Sequence, residues 1–157
     1  MRVVIRKNPN GDTRTAKKDV TFKEFQKAND MHIEDVIEVM SILSDIIKRK
    51  GYNHDYTKKT HEKLFYENFL STMNNNTDFV NDLWYQYHIR TERHHPLSNC
   101  HDDITLLDII EMIVDCVCAG KARSGSVQKI EIDDIILRLA FINTIKLIDL
   151  ITDIEEV

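Results

Sequence analysis

Glycine and proline are scarce, at 4 and 2 among 157 residues. Folds of many short strands need turn residues far more often, so this scarcity favours long helices. Cysteine is scarce too, with an odd count of 3. Cys116 and Cys118 stand inside an apolar helical run, and Cys100 sits in a polar stretch. That argues against a disulfide scaffold and for reduced thiols, with Cys116 and Cys118 read as core packing. No apolar run is long enough to span a membrane, and the N-terminus lacks the charged-then-apolar order of a secretory signal. A basic excess is missing as well: 21 Lys and Arg against 26 Asp and Glu give a net charge of −5. This is the wrong sign for a general nucleic-acid binder. What remains is ordinary globular usage, 42% hydrophobic and 30% charged, which excludes the disordered and fibrous classes. The length suits one domain with a sizeable core. The chain reads as a cytoplasmic protein.

Residues 1–20 alone have strand character. Val3 and Ile5 precede Asn8-Pro9-Asn10-Gly11, and residues 12–15 follow, the pattern of a short hairpin closed by an Asn-Gly turn. Arg2, Arg6, Lys7, Arg14, Lys17 and Lys18 make this extension locally basic, as a solvated surface would be. Residues 21–157 form a single helical domain. Thr21 and Glu24 have capping-box spacing. Asp30 is placed to cap a helix carrying Ile33, Val36, Ile37, Met40, Leu43, Ile46 and Ile47, and Gly51 to stop it. Aromatic-rich segments follow at about 61–74 and from Thr77, a candidate cap, through His88. Apolar helices follow at 105–122 and about 131–152. The fold class is all-α, a helical bundle with a short N-terminal β-hairpin.

The seven histidines carry most of the chemistry. His32, His54-Asp55, His88, His94-His95 and Asp115 come from four predicted helices or their ends, and imidazoles and carboxylates converging from several helices suit first-row divalent ions. His32 shares a predicted face with Val36, Val39 and Leu43, which turns it inward. Asp115 lies among Ile109, Ile110, Met112, Ile113, Val114, Cys116 and Val117. A carboxylate there needs a cation or strong hydrogen bonds. Each residue also has a plain structural explanation. His32 suits a satisfied core histidine, His54-Asp55 a capping pair, and His94-His95 a polar loop before Pro96. Asp115 suits a carboxylate paired with Lys121 or Arg123.

The order His…His-Asp…Asp across a helical bundle, here His32, His54-Asp55 and Asp115, resembles the HD-domain superfamily of metal-dependent phosphohydrolases. The further His88 and His94-His95 resemble its dinuclear branch. The strings HDYTKKTHEKLFYENF (54–69), YHIRTERHHPLSN (87–99) and DIIEMIVDCVCAGKARSG (108–125) are similar to a group of small HD-like proteins of phage and bacterial genomes. Pro96 follows the His pair and no Gly-Tyr-Pro does, which separates the chain from the cyclic-di-GMP specialists. The resemblance implies that His32, His54, Asp55 and Asp115 bind a first metal. Asp55 then bridges to a second, held by His88 and by His94 or His95.

The implied activity is hydrolysis of a nucleotide or related small phosphate ester, phosphodiester or phosphomonoester, by a water that one or two divalent ions (Mn, Fe, Ni, Co or Mg) activate. Asp55 and Lys58 are the catalytic candidates, with Lys58 neutralising a phosphate oxygen. Lys121 and Arg123 are candidates for a phosphate clamp or for solvent-facing roles. Glu62 and Glu92 have the spacing to orient ligand imidazoles. A di-iron oxygenase on the same scaffold would use the same ligands. A non-catalytic interaction module is the third reading, and a structural zinc a lesser one. The Ile/Leu-rich last helix suits either the monomer core or a homodimer seam.

Overall fold

Thr21 and Glu24 open the helical part of the chain. In the computed structural model, which describes residues 2–127 and 129–156, the Thr21 N–H donates to Glu24 Oε2 at 2.9 Å and the Glu24 N–H to Thr21 Oγ1 at 3.3 Å. This capping box starts α1, Phe22–Asn53. Asp30 lies inside α1 and caps nothing, and Gly51 does not stop it. A glycine stop needs a left-handed backbone, and Gly51 is not in that conformation. The left-handed residue comes later, at Asp55. Short α2, Tyr56–Thr60, and then α3, Glu62–Asn75, follow. Asn76, at φ 50°, ends α3 where the Asn run predicted a break.

Asp82, not Thr77, caps α4, Leu83–Thr91, by accepting from the Trp84 and Tyr85 N–H groups at 2.8 and 3.2 Å. A 3₁₀ turn at Phe79–Asn81 separates Thr77 from the helix. Thr105 opens α5, Leu106–Ser124, which closes on left-handed Gly125. The last helix, α6, is Asp134–Leu150. Among the described residues, no helix is long and apolar enough to cross a membrane.

The chain divides into two compact units. The first takes residues up to Ile46 and from Ile145 onward, and the second is Ile47–Thr144. In the first, strand β1, Val3–Lys7, pairs in parallel with β2, Thr152–Glu156, Val3 lying opposite Thr152 and Lys7 opposite Glu156. This replaces the expected hairpin. The tight Asn-Gly turn needs positive φ at both central residues, and neither Asn10 nor Gly11 has it. Pro9–Gly11 instead forms a 3₁₀ turn capped by the Asn8 side chain. A Cβ on Gly11 would meet Asn29 Oδ1 at 3.1 Å, so glycine here serves the close approach to α1.

The basic charges of the N-terminal segment find acids. Arg2 meets Asp153 at 2.9 Å, Lys7 meets Glu156 at 2.6 Å, and Arg6 Nε donates to Asp35 Oδ1 at 2.8 Å. The buried stripe of α1 is Ala28, Met31 and Asp35. Ile33, Val36, Ile37 and Met40, expected in the core, are exposed.

The second unit has its core at Ile104, Ile109, Met112 and Ala140, with Cys116, Ile130, Ile132, Ile136 and Leu139 packed against it. Enclosing Ile104 contributes about 1.5–3 kcal/mol. Cys118, expected inside with Cys116, is exposed. From α6, Ala140 is fully buried, whereas Ile135, Phe141 and Ile142 are exposed. Phe65 of α3 packs on Trp84 of α4 with ring centroids 4.1 Å apart.

Gly51 yields one stability prediction. It lies inside α1, and a Cβ there meets nothing within 4 Å. Gly51→Ala should therefore raise the unfolding free energy by about 0.5–1 kcal/mol, read from urea titrations of the two proteins.

Candidate metal centre

All the converging groups lie in the second unit. His54 and Asp55 follow the end of α1, and Asp55 sits in the left-handed region at φ 57° and ψ 32°. Only glycine adopts that region freely, and Asp and Asn are the next most tolerant. The end of α4 supplies His88, and the turn after it supplies Glu92, Arg93, His94 and His95. Asp108, Glu111 and Asp115 recur on α5 at helical spacing, which puts them on one side of it.

The ligand atoms form two groups. Asp55, His88, His94 and His95 make one, and His54, His94 and Asp115 the other, each with its atoms within 4.8 Å of one another. His94 belongs to both. Asp55 Oδ1 lies 3.3 Å from His88 Nε2 and 3.5 Å from His94 Nε2. His88 Nε2 and His95 Nε2 are 3.1 Å apart. His54 Nε2 lies 3.4 Å from Asp115 Oδ1, and Glu111 Oε1 is 3.2 Å from His54 Nδ1 and 3.5 Å from His94 Nδ1. Three of these atoms, Asp55 Oδ1 and both ring nitrogens of His94, are buried and have no hydrogen-bond partner among the described residues. Buried polar atoms of this kind are costly and need a partner.

Electrostatics follow from the crowding. Burial would raise the Asp55 carboxyl, but His94 and Lys58 outweigh it and hold the group well below the usual carboxylate range. Glu111 is likewise lowered by His94 and His54 against the effect of burial. Burial would lower His94, yet Asp55 and Glu111 push it up to about 9. The pocket therefore favours positive charge at its centre. Burial first, and then Lys58, takes His88 down to about 3, and burial with His94 takes His95 down to about 4. Both rings are neutral near pH 7, the form that offers a lone pair.

The hydrogen bonds around Thr57 assign the His88 tautomer. Glu92 Oε1 accepts from the Thr57 backbone N–H at 2.8 Å and from its hydroxyl at 2.7 Å. The hydroxyl has one proton, so toward His88 Nδ1, 2.7 Å away, it is the acceptor. Nδ1 then carries the hydrogen, and the Nε2 lone pair faces Asp55 and His95. Thr57 is 0% exposed, so no water substitutes. With a divalent cation held at this cluster, Thr57→Val should weaken its affinity about 10–100-fold, and Thr57→Ser should restore it. Competition with a chelating dye measures both.

Asp108 is the best-satisfied carboxylate. It accepts from Lys50 at 2.5 Å, from Arg93 Nε at 2.9 Å, and from the Thr105 N–H and hydroxyl at 2.7 and 2.8 Å. The sequence reading passed over it, although Thr105-x-x-Asp108 ahead of an apolar run is a legible capping signal. Glu111 precedes Asp115 by one helical turn.

The remaining candidates are placed as follows. His32 is exposed, one residue off the Ala28–Met31–Asp35 stripe, and joins neither ligand group, which corrects its expected inward orientation. Asp115 is half-buried, and among the described residues it faces His54 rather than Lys121 or Arg123. Lys121 and Arg123 are exposed near the end of α5, and Glu62 is exposed on the first turn of α3. Lys58 Nζ ion-pairs with Asp55 Oδ2.

The description of a protein family of unknown function, DUF5662, matches residues 21–140. The chain belongs to this family. The stretch it shares with DUF5662 starts at the capping box of α1 and reaches into α6, so it includes every candidate ligand from His54 to Asp115. Strands β1 and β2 lie outside the DUF5662 match. No curated protein and no solved structure matches the chain.

Proposed function

We propose that the His/Asp cluster holds one or two divalent cations and that the protein is a metal-dependent phosphohydrolase. The observation that supports this reading is the set of buried atoms without hydrogen bonds, Asp55 Oδ1 and both nitrogens of His94, set among neutral imidazoles. The donor set fits the group. His88, His95 and Asp55 supply nitrogen and carboxylate oxygen for one ion, and His54 and Asp115 do so for another, with His94 in reach of both groups and able to give its one lone pair to either. His32 has no part in it.

A divalent cation bound there would acidify a coordinated water toward neutral pH and take up charge on phosphoryl oxygens. The protein's own groups do the rest. Thr57 and Glu92 keep the His88 lone pair turned toward Asp55. The left-handed turn at Asp55 presents its carboxylate to His88 and His94. Lys58, a half-buried ammonium on Asp55, is placed to meet a phosphoryl oxygen. Lys50 is already held by Asp108 and Glu111 and is not free for that role. In the net reaction water adds to phosphorus, the ester P–O bond breaks, and the departing oxygen leaves protonated as an alcohol.

The test is elemental analysis of protein purified without chelator, followed by phosphate release from a panel of mono- and diesters. Bound Mn, Fe, Co or Ni with phosphate release supports the proposal. Bound iron that consumes dioxygen and releases no phosphate overturns it in favour of an oxygenase. Protein that takes up no metal after reconstitution overturns both.

A further inference from the structure

Beside the cluster, the end of α1 and one side of α5 enclose a cleft of about 240 Å³. His54 and Asp115 of the cluster, and Glu111 beside His54 and His94, also line the cleft, so the cleft abuts the cluster. The rest of the lining is apolar: Ile47, Gly51, Leu107, Ile110, Val114 and Cys118. Among the described residues, Lys50 brings the lining its one ammonium, which Asp108 at 2.5 Å and Glu111 at 3.2 Å hold. Among the described residues, no Ser, Thr, Asn or Gln lines the cleft. It therefore lacks the neutral hydrogen-bonding side chains that usually read a nucleobase or sugar, and it has no uncommitted cation for a second phosphate.

We propose that this cleft receives the organic body of the substrate and that this body is uncharged and apolar, an alkyl or aryl group on a phosphate ester. The inference rests on the phosphohydrolase reading and narrows it. An apolar body gains free energy by leaving water. An oligophosphate or a dinucleotide would instead bring anionic groups against Glu111 and Asp115. The shape suits an elongated body, since Leu107 to Cys118 covers three turns of α5, about 16 Å along the axis.

The probes are two non-hydrolysable ligands with the same head, methylphosphonate and octylphosphonate. Each is titrated calorimetrically into metal-replete wild type, Gly51→Ala and Gly51→Phe, with metal content measured separately. Wild type and Gly51→Ala should bind octylphosphonate at least about 30-fold more tightly than methylphosphonate, given the gain per buried methylene. Gly51 lines the cleft and a Cβ there meets nothing within 4 Å, so a phenyl group can be introduced there to occupy the cleft. Gly51→Phe should lose the preference while keeping its metal and its affinity for methylphosphonate. If Gly51→Phe does not fold, Ile110→Asn provides the same comparison.

Equal affinities for the two probes would overturn the cleft assignment and leave the phosphohydrolase reading standing. Failure of both probes to bind metal-loaded protein would overturn both. A dimer that Gly51→Phe converts to monomer in sedimentation, with no chain-length preference in wild type, would make the cleft a seam between copies and overturn the assignment.

Discussion

Asp55→Asn is expected to lose bound metal and to slow phosphate-ester hydrolysis about 10²–10³-fold or more, while the protein stays folded. The side chain is the same size, and asparagine tolerates the left-handed backbone at φ 57°. What disappears is the charge. Oδ1 is buried without a hydrogen bond and faces His88 and His94, and Oδ2 carries the Lys58 ion pair. An amide in place of the carboxylate gives these groups a much weaker ligand and removes the anion that balances a cation. Asp55→Ala should lose metal equally and in addition be less stable than Asp55→Asn by about 1–2 kcal/mol, the cost of a left-handed alanine. Metal per chain, hydrolysis rate and urea midpoint of the three proteins together test this. Retention of metal by Asp55→Asn would show that the cluster is not organised around this carboxylate.

The second large effect is on stability. Asp108→Ala should cost about 3–5 kcal/mol, because it strips a buried carboxylate from Lys50 and Arg93 and removes the Asp108 half of the capping box at the start of α5. Against a total stability of about 5–15 kcal/mol, this loss shifts the denaturation midpoint far. Its pH dependence has a definite sign. Burial would raise the Asp108 carboxyl, but Arg93, Lys50 and Thr105 overcome it and hold the group well below the usual range. The folded form thus binds a proton less readily than the unfolded chain. The stabilisation is fully present above the ordinary carboxylate value of about 4 and is lost as pH falls through the lower folded value. Urea titrations at pH 7 and in acid should show wild type and Asp108→Ala converging on the acid side. A difference that grows in acid would contradict the assignment.

Much of the candidate centre was legible because metal ligands are chemically conspicuous. His54-Asp55, His88, His94-His95 and Asp115 stand out in the chain, and the structure brings them together. His32 stood out equally and lies elsewhere. Its apparent face came from counting Val36 and Leu43 as interior, whereas the stripe that α1 buries is set by Ala28, Met31 and Asp35, and Val36 itself is exposed. Helical periodicity shows that a helix is amphipathic, not which neighbour covers it. Thr57 and Glu92 were hard to weigh for a different reason. A threonine acquires its meaning only when a glutamate from 35 residues away accepts its proton. The helices were read better than the strands. Caps are local, as at Thr21 and Thr105. The pairing of β1 with β2 joins opposite ends of the sequence, and no window around Val3 contains Thr152.

That pairing also sets an order of events during synthesis. β1 leaves the ribosome before α1–α6, and its partner β2 after them. At roughly 5–20 residues per second, the exposed Val3 and Ile5 wait roughly 7–30 s before residues 152–156 exist to pair with them. The His54–Asp115 region, encoded entirely between the two strands, can form its own contacts during that interval. Residues 1–46 complete their unit only after translation reaches Glu156. A ribosome stalled inside α6 would therefore display a chain with His54 to Asp115 already made and strand β1 still unpaired.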